Sequence, residues 1–274
     1  MKNLLVFAAP LAGGRILDGD VLLHAVIAFV AFCASASAVY FVNDSLDVEA
    51  DRAHPRKRHR PIASGSVSVP VAVATAVVLF SVGLGVAALA GWPFVIVMLC
   101  YDLIQLAYCF WLKHQPVLDI AVVSSGFLLR TIAGGAATDI QLSRWFLLVA
   151  VFGSLLMVAG KRFGEIIGNP ELKGEVRGSL KGYTQSYLGF VWHSAATILI
   201  LGYSLWAFES FSGMRGLWIS LSVAPFILAV LRYSQHIDRG DAEAPEDIAL
   251  GDRLLQAFAL VWLVILALGI YLPR

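Results

Sequence analysis

Asn43-Asp44-Ser45-Leu46-Asp47-Val48-Glu49-Ala50-Asp51 closes an apolar run and leads straight into Arg52-Ala53-His54-Pro55-Arg56-Lys57-Arg58-His59-Arg60-Pro61. On a helix, Asp44, Asp47 and Asp51 stand at i, i+3 and i+7, so their carboxylates fall along one face with Asn43 beside Asp47. Like charges at that spacing repel by roughly a few tenths of a kcal/mol per pair, and a helix that keeps them needs a cation. Oxygen ligands without His or Cys suit Mg2+ shared with substrate phosphates. Five Lys/Arg lie between 52 and 60, enough for several phosphate groups, with Lys57, Arg58 and Arg60 as the candidates. The stretch predicts a metal-diphosphate site: Asp44, Asp47 and Asp51 as the working carboxylates, Asn43 as a further oxygen ligand.

The surroundings are apolar. Of 274 residues, 59% are hydrophobic and 14% charged, with mean hydropathy +0.78, far from the composition of a soluble domain. Stretches long enough to span a bilayer fall at about 21–42, 70–91, 93–112, 117–137, 144–160, 187–208, 216–233 and 254–272. A ninth, shorter stretch, Leu4–Leu11, is interrupted by Pro10 and reads as the tail of a span rather than a cleaved signal peptide. The expectation is an all-α polytopic membrane bundle of eight to nine transmembrane helices with a cytoplasmic polar mouth, forming one domain over 1–274. Its Gly- and Ala-rich helices, such as Gly134-Gly135-Ala136-Ala137, suit close packing and permit a homo-oligomer without establishing one.

Charge sets the orientation. One set of loops carries Arg52, Arg56, Lys57, Arg58, Arg60, Lys113, Lys161, Arg162, Lys173, Arg177, Lys181, Arg232, Arg239 and Arg253, and the alternate set only Arg15, Arg144, Arg215 and Arg274. The positive-inside rule makes the first set cytoplasmic and turns the acidic motif toward the cytosol. A net charge of +1 gives no case for nucleic acid. The basic run at 56–60 reads as a phosphate ligand beside the acids, or as a topogenic loop on anionic lipid heads. Cys33, Cys100 and Cys109 lack paired or zinc-type spacing and read as core residues.

A second polar cluster, Lys161, Arg162 and Glu165, lies within about one helical turn at a span end. Lys161 and Arg162 suit a phosphate; they equally suit a helix anchor that snorkels. Lys113, Asp119, Tyr183 and Tyr187, near the same span ends, complete the candidate substrate contacts. Glu246 and Asp247 after Pro245 read as helix-start residues. Asp102 and Arg130 fall roughly 15 and 20 Å inside their spans, where ionised groups are costly unless paired or wet. They are expected to pair with one another or to line a polar cavity with Tyr101, Gln105 and Tyr108. Neither a Walker A loop nor a dinucleotide fingerprint is present, which disfavours P-loop phosphoryl transfer.

Asn43-Asp44-xx-Asp47-xxx-Asp51 on a bundle of this kind resembles the UbiA superfamily of intramembrane prenyltransferases. The string from Asn43 to Gly65, with His54-Pro55, Lys57-Arg58 and Arg60-Pro61-Ile62-Ala63, is similar to the decaprenyl-phosphate phosphoribosyltransferase branch. So are Gln105-Leu106-Ala107-Tyr108-Cys109-Phe110, Leu112-Lys113-His114-Gln115, Val122-Val123-Ser124-Ser125, Arg130-x-Ile132-Ala133-Gly134-Gly135, Met157 to Arg162 and Pro245 to Leu250. The resemblance implies Mg2+-dependent transfer of 5-phosphoribose from phosphoribosyl diphosphate (PRPP) to a polyprenyl phosphate at the inner (plasma) membrane. Diphosphate is released, and the product serves cell-wall arabinan synthesis. Two departures stand out. Of the Arg-Pro-x-Gln-Trp-x-Lys-Asn segment with which relatives begin, only Lys2-Asn3 is present, so the first span is expected to be cut short. Where aromatic prenyltransferases carry a second Asp-rich motif, near 161–169, this chain has Lys161, Arg162 and Glu165, which suits a phosphate-bearing acceptor. The rivals are an aromatic prenyltransferase using a prenyl diphosphate, and a membrane transporter, for which the expected internal repeat is missing.

Overall fold

The computed structural model describes residues 2–55, 57–167, 182–209 and 211–271, and every regular element among them is helical. Arg56, Lys173, Arg177, Lys181 and Arg274, counted above for orientation, lie outside the described residues. Eight helices or helix pairs are long and apolar enough to cross a membrane: Gly19–Leu46, Val69–Ala88, Trp92–Phe110, Leu118–Thr138, Arg144–Ile167, Gln185–Glu209, Gly213–Asp238 and Arg253–Tyr271. The N-terminal stretch Lys2–Ala12 stays shorter, a 3-10 turn at Lys2–Phe7 followed by α1 at Ala8–Ala12. A crossing needs about 20 residues, so the expected eight to nine spans become eight among the described residues.

The chain divides into two units, one formed by 1–113 and 129–141, the other by 114–128 and 142–274. In the first unit, α2 (Gly19–Leu46) starts at Asp18, whose carboxylate accepts from the Asp20 amide at 3.2 Å and meets the positive helix end. Its buried face reads Val21, Ala25, Ala28, Ala31, Phe32, Ser35, Ala36 and Ala38, a helical stripe in which all but Val21 and Phe32 are small. Those residues let α4 (Val69–Ala88) approach closely: a Cβ built on Gly83 would stand 2.7 Å from Ser35 Oγ. Pro70 fits the first turn of α4, where no amide donor is needed. Gly91, at φ +97°, turns the chain into α5 (Trp92–Phe110). The outer faces stay apolar, with Val77, Val78 and Leu103 exposed, as lipid-facing surfaces require. The C-terminal part of α6 (Leu118–Thr138) belongs to this unit, where Gly134 leaves no room for a Cβ against the Val6 carbonyl.

The second unit holds the N-terminal part of α6, α7 (Arg144–Ile167), α8 (Gln185–Glu209), α9 (Gly213–Leu221), α10 (Val223–Asp238), α11 (Pro245–Gly251) and α12 (Arg253–Tyr271). Its core is aromatic. Tyr203 stacks on Phe226 at 4.0 Å between centroids, and its hydroxyl meets Trp262 Nε1 at 2.7 Å and Ser222 Oγ at 2.6 Å. Ser222 separates α9 from α10 within one span and donates to the Ile219 carbonyl at 2.6 Å.

Two helix ends run past their expected limits, and both carry candidate site residues. The span beginning near 21 continues to Leu46, placing Asn43 and Asp44 on α2. The span expected to stop at 160 continues to Ile167, so Lys161, Arg162 and Glu165 are helical rather than in a loop.

Candidate active site

In the first unit α2 ends one residue before Asp47, which has φ −95° and ψ 10° and joins α2 to α3 (Val48–Ala53). The expected single helix through Asp51 is therefore broken at its middle aspartate. One-turn spacing survives, because the Asp47 amide donates to the Asn43 carbonyl at 3.0 Å and the Asp51 amide to the Asp47 carbonyl at 2.8 Å. The break divides the acids between two cations. Arg60 Nη1 lies 2.8 Å from Asp44 Oδ1 and 2.8 Å from Asp51 Oδ2. Lys113 Nζ lies 2.6 Å from Asp47 Oδ1 and 3.4 Å from Asn43 Oδ1. Lys57 Nζ stands 4.0 Å from Asp51 Oδ1.

The local sequence explains these placements. After α3, Pro55 ends the helical run and a 3-10 turn spans Lys57–His59. Buried Ile62 and Ala63 then anchor the chain, the Val67 amide donates to the Pro61 carbonyl at 3.0 Å, and Gly65 takes φ +83°. Arg52 Nε caps the Ala63 carbonyl at 3.2 Å. Arg60 thus projects back toward the acids, whereas Arg58 is exposed and meets its neighbour His59 at 3.4 Å. Lys113 arrives from a 3-10 turn at Leu112–His114 that follows α5, and it is buried.

Among the described residues no three carboxylate, imidazole or thiol groups converge on one metal position. The donor chemistry still fits a hard divalent ion: every candidate ligand is an oxygen, and the Arg60 nitrogen marks a point where one cation already touches two carboxylates. Asp44 and Asp51 would hold such an ion, with Asp47 about a turn from each and Asn43 directly before Asp44.

In the second unit Asp119, fully buried, pairs with Arg162, which is 4% exposed. The guanidinium donates through Nε to Oδ2 at 2.9 Å and through Nη2 to Oδ1 at 3.2 Å, while Nη1 reaches Glu165 Oε2 at 2.8 Å. Arg162 is therefore a scaffold cation held by two acids, and Lys161 beside it is exposed. The Val117 amide donates to the Tyr183 hydroxyl at 2.5 Å. Burial raises the Tyr183 phenol above its ordinary pKa, against the lowering by that hydrogen bond, so it stays neutral. Tyr187 stacks on Tyr183 with centroids 5.9 Å apart.

The expected Asp102–Arg130 pair does not form. Arg130 donates to Asn3 Oδ1 at 2.8 Å and to the Tyr101 hydroxyl at 2.9 Å, and its guanidinium lies over the Phe32 and Tyr101 rings. Asp102 accepts from Ser35 Oγ at 3.3 Å. Successive residues on α5 point about 100° apart, so Tyr101 and Asp102 serve different neighbours. Sequence reasoning passed over Asn3 and Ser35 as polar partners; a polar residue beside an apolar run was the available signal.

The model of the UbiA prenyltransferase family matches residues 4–260. The chain belongs to that family. It is 53% identical over 272 residues to a decaprenyl-phosphate phosphoribosyltransferase of Mycobacterium tuberculosis, covering 96% of this chain and 88% of the relative. A decaprenyl-phosphate phosphoribosyltransferase of Corynebacterium glutamicum is 48% identical over 278 residues, covering 99% and 84%. These identities place the chain, a transferase, in the branch that the strings from Asn43 to Gly65 resemble. The fold agrees with that of a UbiA homolog from Archaeoglobus fulgidus bound to GPP and Mg2+, at TM-score 0.72 and 18% identity over 98% of both chains. The same homolog bound to Cd2+ superposes at TM-score 0.69, again at 18% identity and with 98% of both chains covered.

Proposed function

We propose that the chain transfers 5-phosphoribose from PRPP to a polyprenyl phosphate with release of diphosphate, on the cytoplasmic side of the plasma membrane, in cell-wall arabinan synthesis. The observation that carries this reading is Arg60 spanning Asp44 and Asp51 at 2.8 Å to each, with Lys57 beside Asp51 and Lys113 on Asp47. Acids suited to a divalent ion are interleaved with bases suited to phosphate oxygens. The names of the relatives at 48–53% identity supply the substrate class.

Asp44 and Asp51, with Asp47 and Asn43 beside them, would hold Mg2+, which when bound would neutralise charge that builds on a departing diphosphate. Arg60, Lys57 and Arg58 hold phosphate oxygens, Arg60 through its planar fork. Lys113 holds Asp47 and Asn43 in register. In the second unit, Lys161, exposed near the end of α7, is a proposed phosphate contact, and Arg162, Glu165 and Asp119 hold that part of the helix, with Tyr183 and Tyr187 stacked on one another. A phosphate monoester, with its second pKa near 6, is largely dianionic at pH 7 and needs no general base.

The test is diphosphate release from PRPP by the purified chain. Release that requires both Mg2+ and added polyprenyl phosphate supports the proposal. Release from a prenyl diphosphate with an aromatic acceptor would instead favour the aromatic prenyltransferase reading, and no release from either donor would favour transport. Asp44→Asn and Asp47→Asn should each lower labelled ribose-phosphate transfer about 100-fold or more while the protein stays folded. Normal turnover in both variants excludes the metal assignment.

A further inference from the structure

Arg60 and Lys113, two of the cations beside the acidic motif, are held very differently. Lys113 has 7% side-chain exposure, contacts Asp47 at 2.6 Å, and comes from a turn more than sixty residues downstream, so its position is set by packing. Arg60 is 38% exposed and sits on the short segment between the Lys57–His59 turn and Gly65. One of its nitrogens, Nη1, makes both contacts, at 2.8 Å to Asp44 Oδ1 and to Asp51 Oδ2. Asp51 itself is 3% exposed and its carboxylate cannot turn out into water.

A divalent ion held by those two oxygens needs them at about 2.0–2.6 Å, and a guanidinium nitrogen bridging the same pair fills that position. The two cations exclude one another by volume and by like charge. Arg60 nevertheless remains useful when it leaves, because its fork matches a diphosphate oxygen pair and its stem reaches solvent. The geometry points to Arg60 as an exchangeable counter-ion. It competes with the divalent ion for Asp44 and Asp51 and passes to the diphosphate of the incoming substrate, so that metal and substrate binding reinforce one another through this side chain. By linkage, what Arg60 costs the metal in the free protein is returned when the substrate is present. The inference rests on the metal-diphosphate reading of the site and adds a direction to it.

Mn2+ is the probe, titrated by the EPR signal of the free ion into the full-length chain in nanodiscs. Arg60→Gln removes the competitor and should bind Mn2+ alone roughly five- to tenfold more tightly than the parent. At saturating Mn2+ the same variant should bind PRPP more weakly by at least tenfold. Arg60→Lys keeps the charge but has one point donor in place of the fork, and should fall between parent and Gln variant in both measurements; it also serves if Arg60→Gln does not fold. Unchanged or weaker Mn2+ binding in both variants overturns the inference while leaving the metal site intact, as would PRPP binding that ignores the substitution. Absence of Mn2+ binding to the parent overturns the underlying reading and the inference with it.

Discussion

Asp119 and Arg162 show what a single buried charge requires. Each satisfies the other through two hydrogen bonds, and both are almost wholly removed from solvent. Removing Asp119 takes two hydrogen bonds from a buried guanidinium and leaves it Glu165, at a cost below the roughly 3–5 kcal/mol of breaking a buried pair outright. Asp119→Ala should therefore lower the midpoint of thermal unfolding sharply in detergent, and Asp119→Ala with Arg162→Met should recover most of the loss; a double variant no better than the single one would show that the guanidinium has other support. Asp252 makes a different case, outside the spans. His236 Nε2 at 2.5 Å, the Leu255 amide at 3.0 Å and Arg232 Nε at 2.7 Å hold its carboxyl below the ordinary carboxylate pKa, the histidine contributing most. A depressed folded pKa gives stability that is complete above the unfolded value of about 4 and is lost as pH falls through the folded one. Between pH 5 and pH 3 the parent should lose more thermal stability than Asp252→Asn. Parallel profiles would remove this carboxyl as a source of acid sensitivity.

The turn into α6 is the strained element. Val117, a β-branched residue, has φ +70°, a conformation that L side chains with a branched Cβ rarely adopt. The Tyr183 hydroxyl accepts its amide, the Asp119 amide donates to the Gln115 carbonyl at 2.9 Å, and Gly182 leaves no space for a Cβ against Pro116. These contacts hold the turn against a backbone cost of about 1–3 kcal/mol. The Val117 side chain is 53% exposed and packs little. Val117→Gly should raise thermal stability by about 1 kcal/mol, and a stability equal to or below the parent's would argue that the turn carries no strain. Tyr183→Phe, which removes the acceptor, should move stability in the opposite direction. The same turn delivers Asp119 to Arg162, so its conformation reaches the scaffold of the second cluster.

At the scale of the molecule, the eight candidate spans among the described residues, with cations concentrated in every second loop, predict an orientation. Ser64 and Leu17 are both exposed and flank opposite ends of α2. With the native cysteines replaced, Leu17→Cys should react with a membrane-impermeant maleimide in intact cells, and Ser64→Cys only in inverted vesicles. The reverse pattern would turn the acidic motif away from the cytosol and from a soluble PRPP pool.

Hydropathy and spacing are local properties, and they were enough to place the spans and to single out Asn43, Asp44, Asp47 and Asp51 together with Arg60. Each of those signals is repeated within a turn or two of helix. Which cation serves which acid was not legible. Lys113 finds Asp47 across 66 positions, Arg162 finds Asp119 across 43, and Arg130 turns to Asn3 and Tyr101 instead of Asp102. Such pairings depend on which helix faces meet and how closely small residues let them approach, as at Ser35 and Gly83. At the break at Asp47, Asp44 and Asp51 share Arg60 while Asp47 meets Lys113, a division that the spacing of the acids does not reveal. Hydropathy and local spacing were sufficient for a helical membrane bundle with an acidic motif beside a basic run; the tertiary structure decided the charge partners, because contacts between distant segments are created by packing and are encoded in no single stretch of chain.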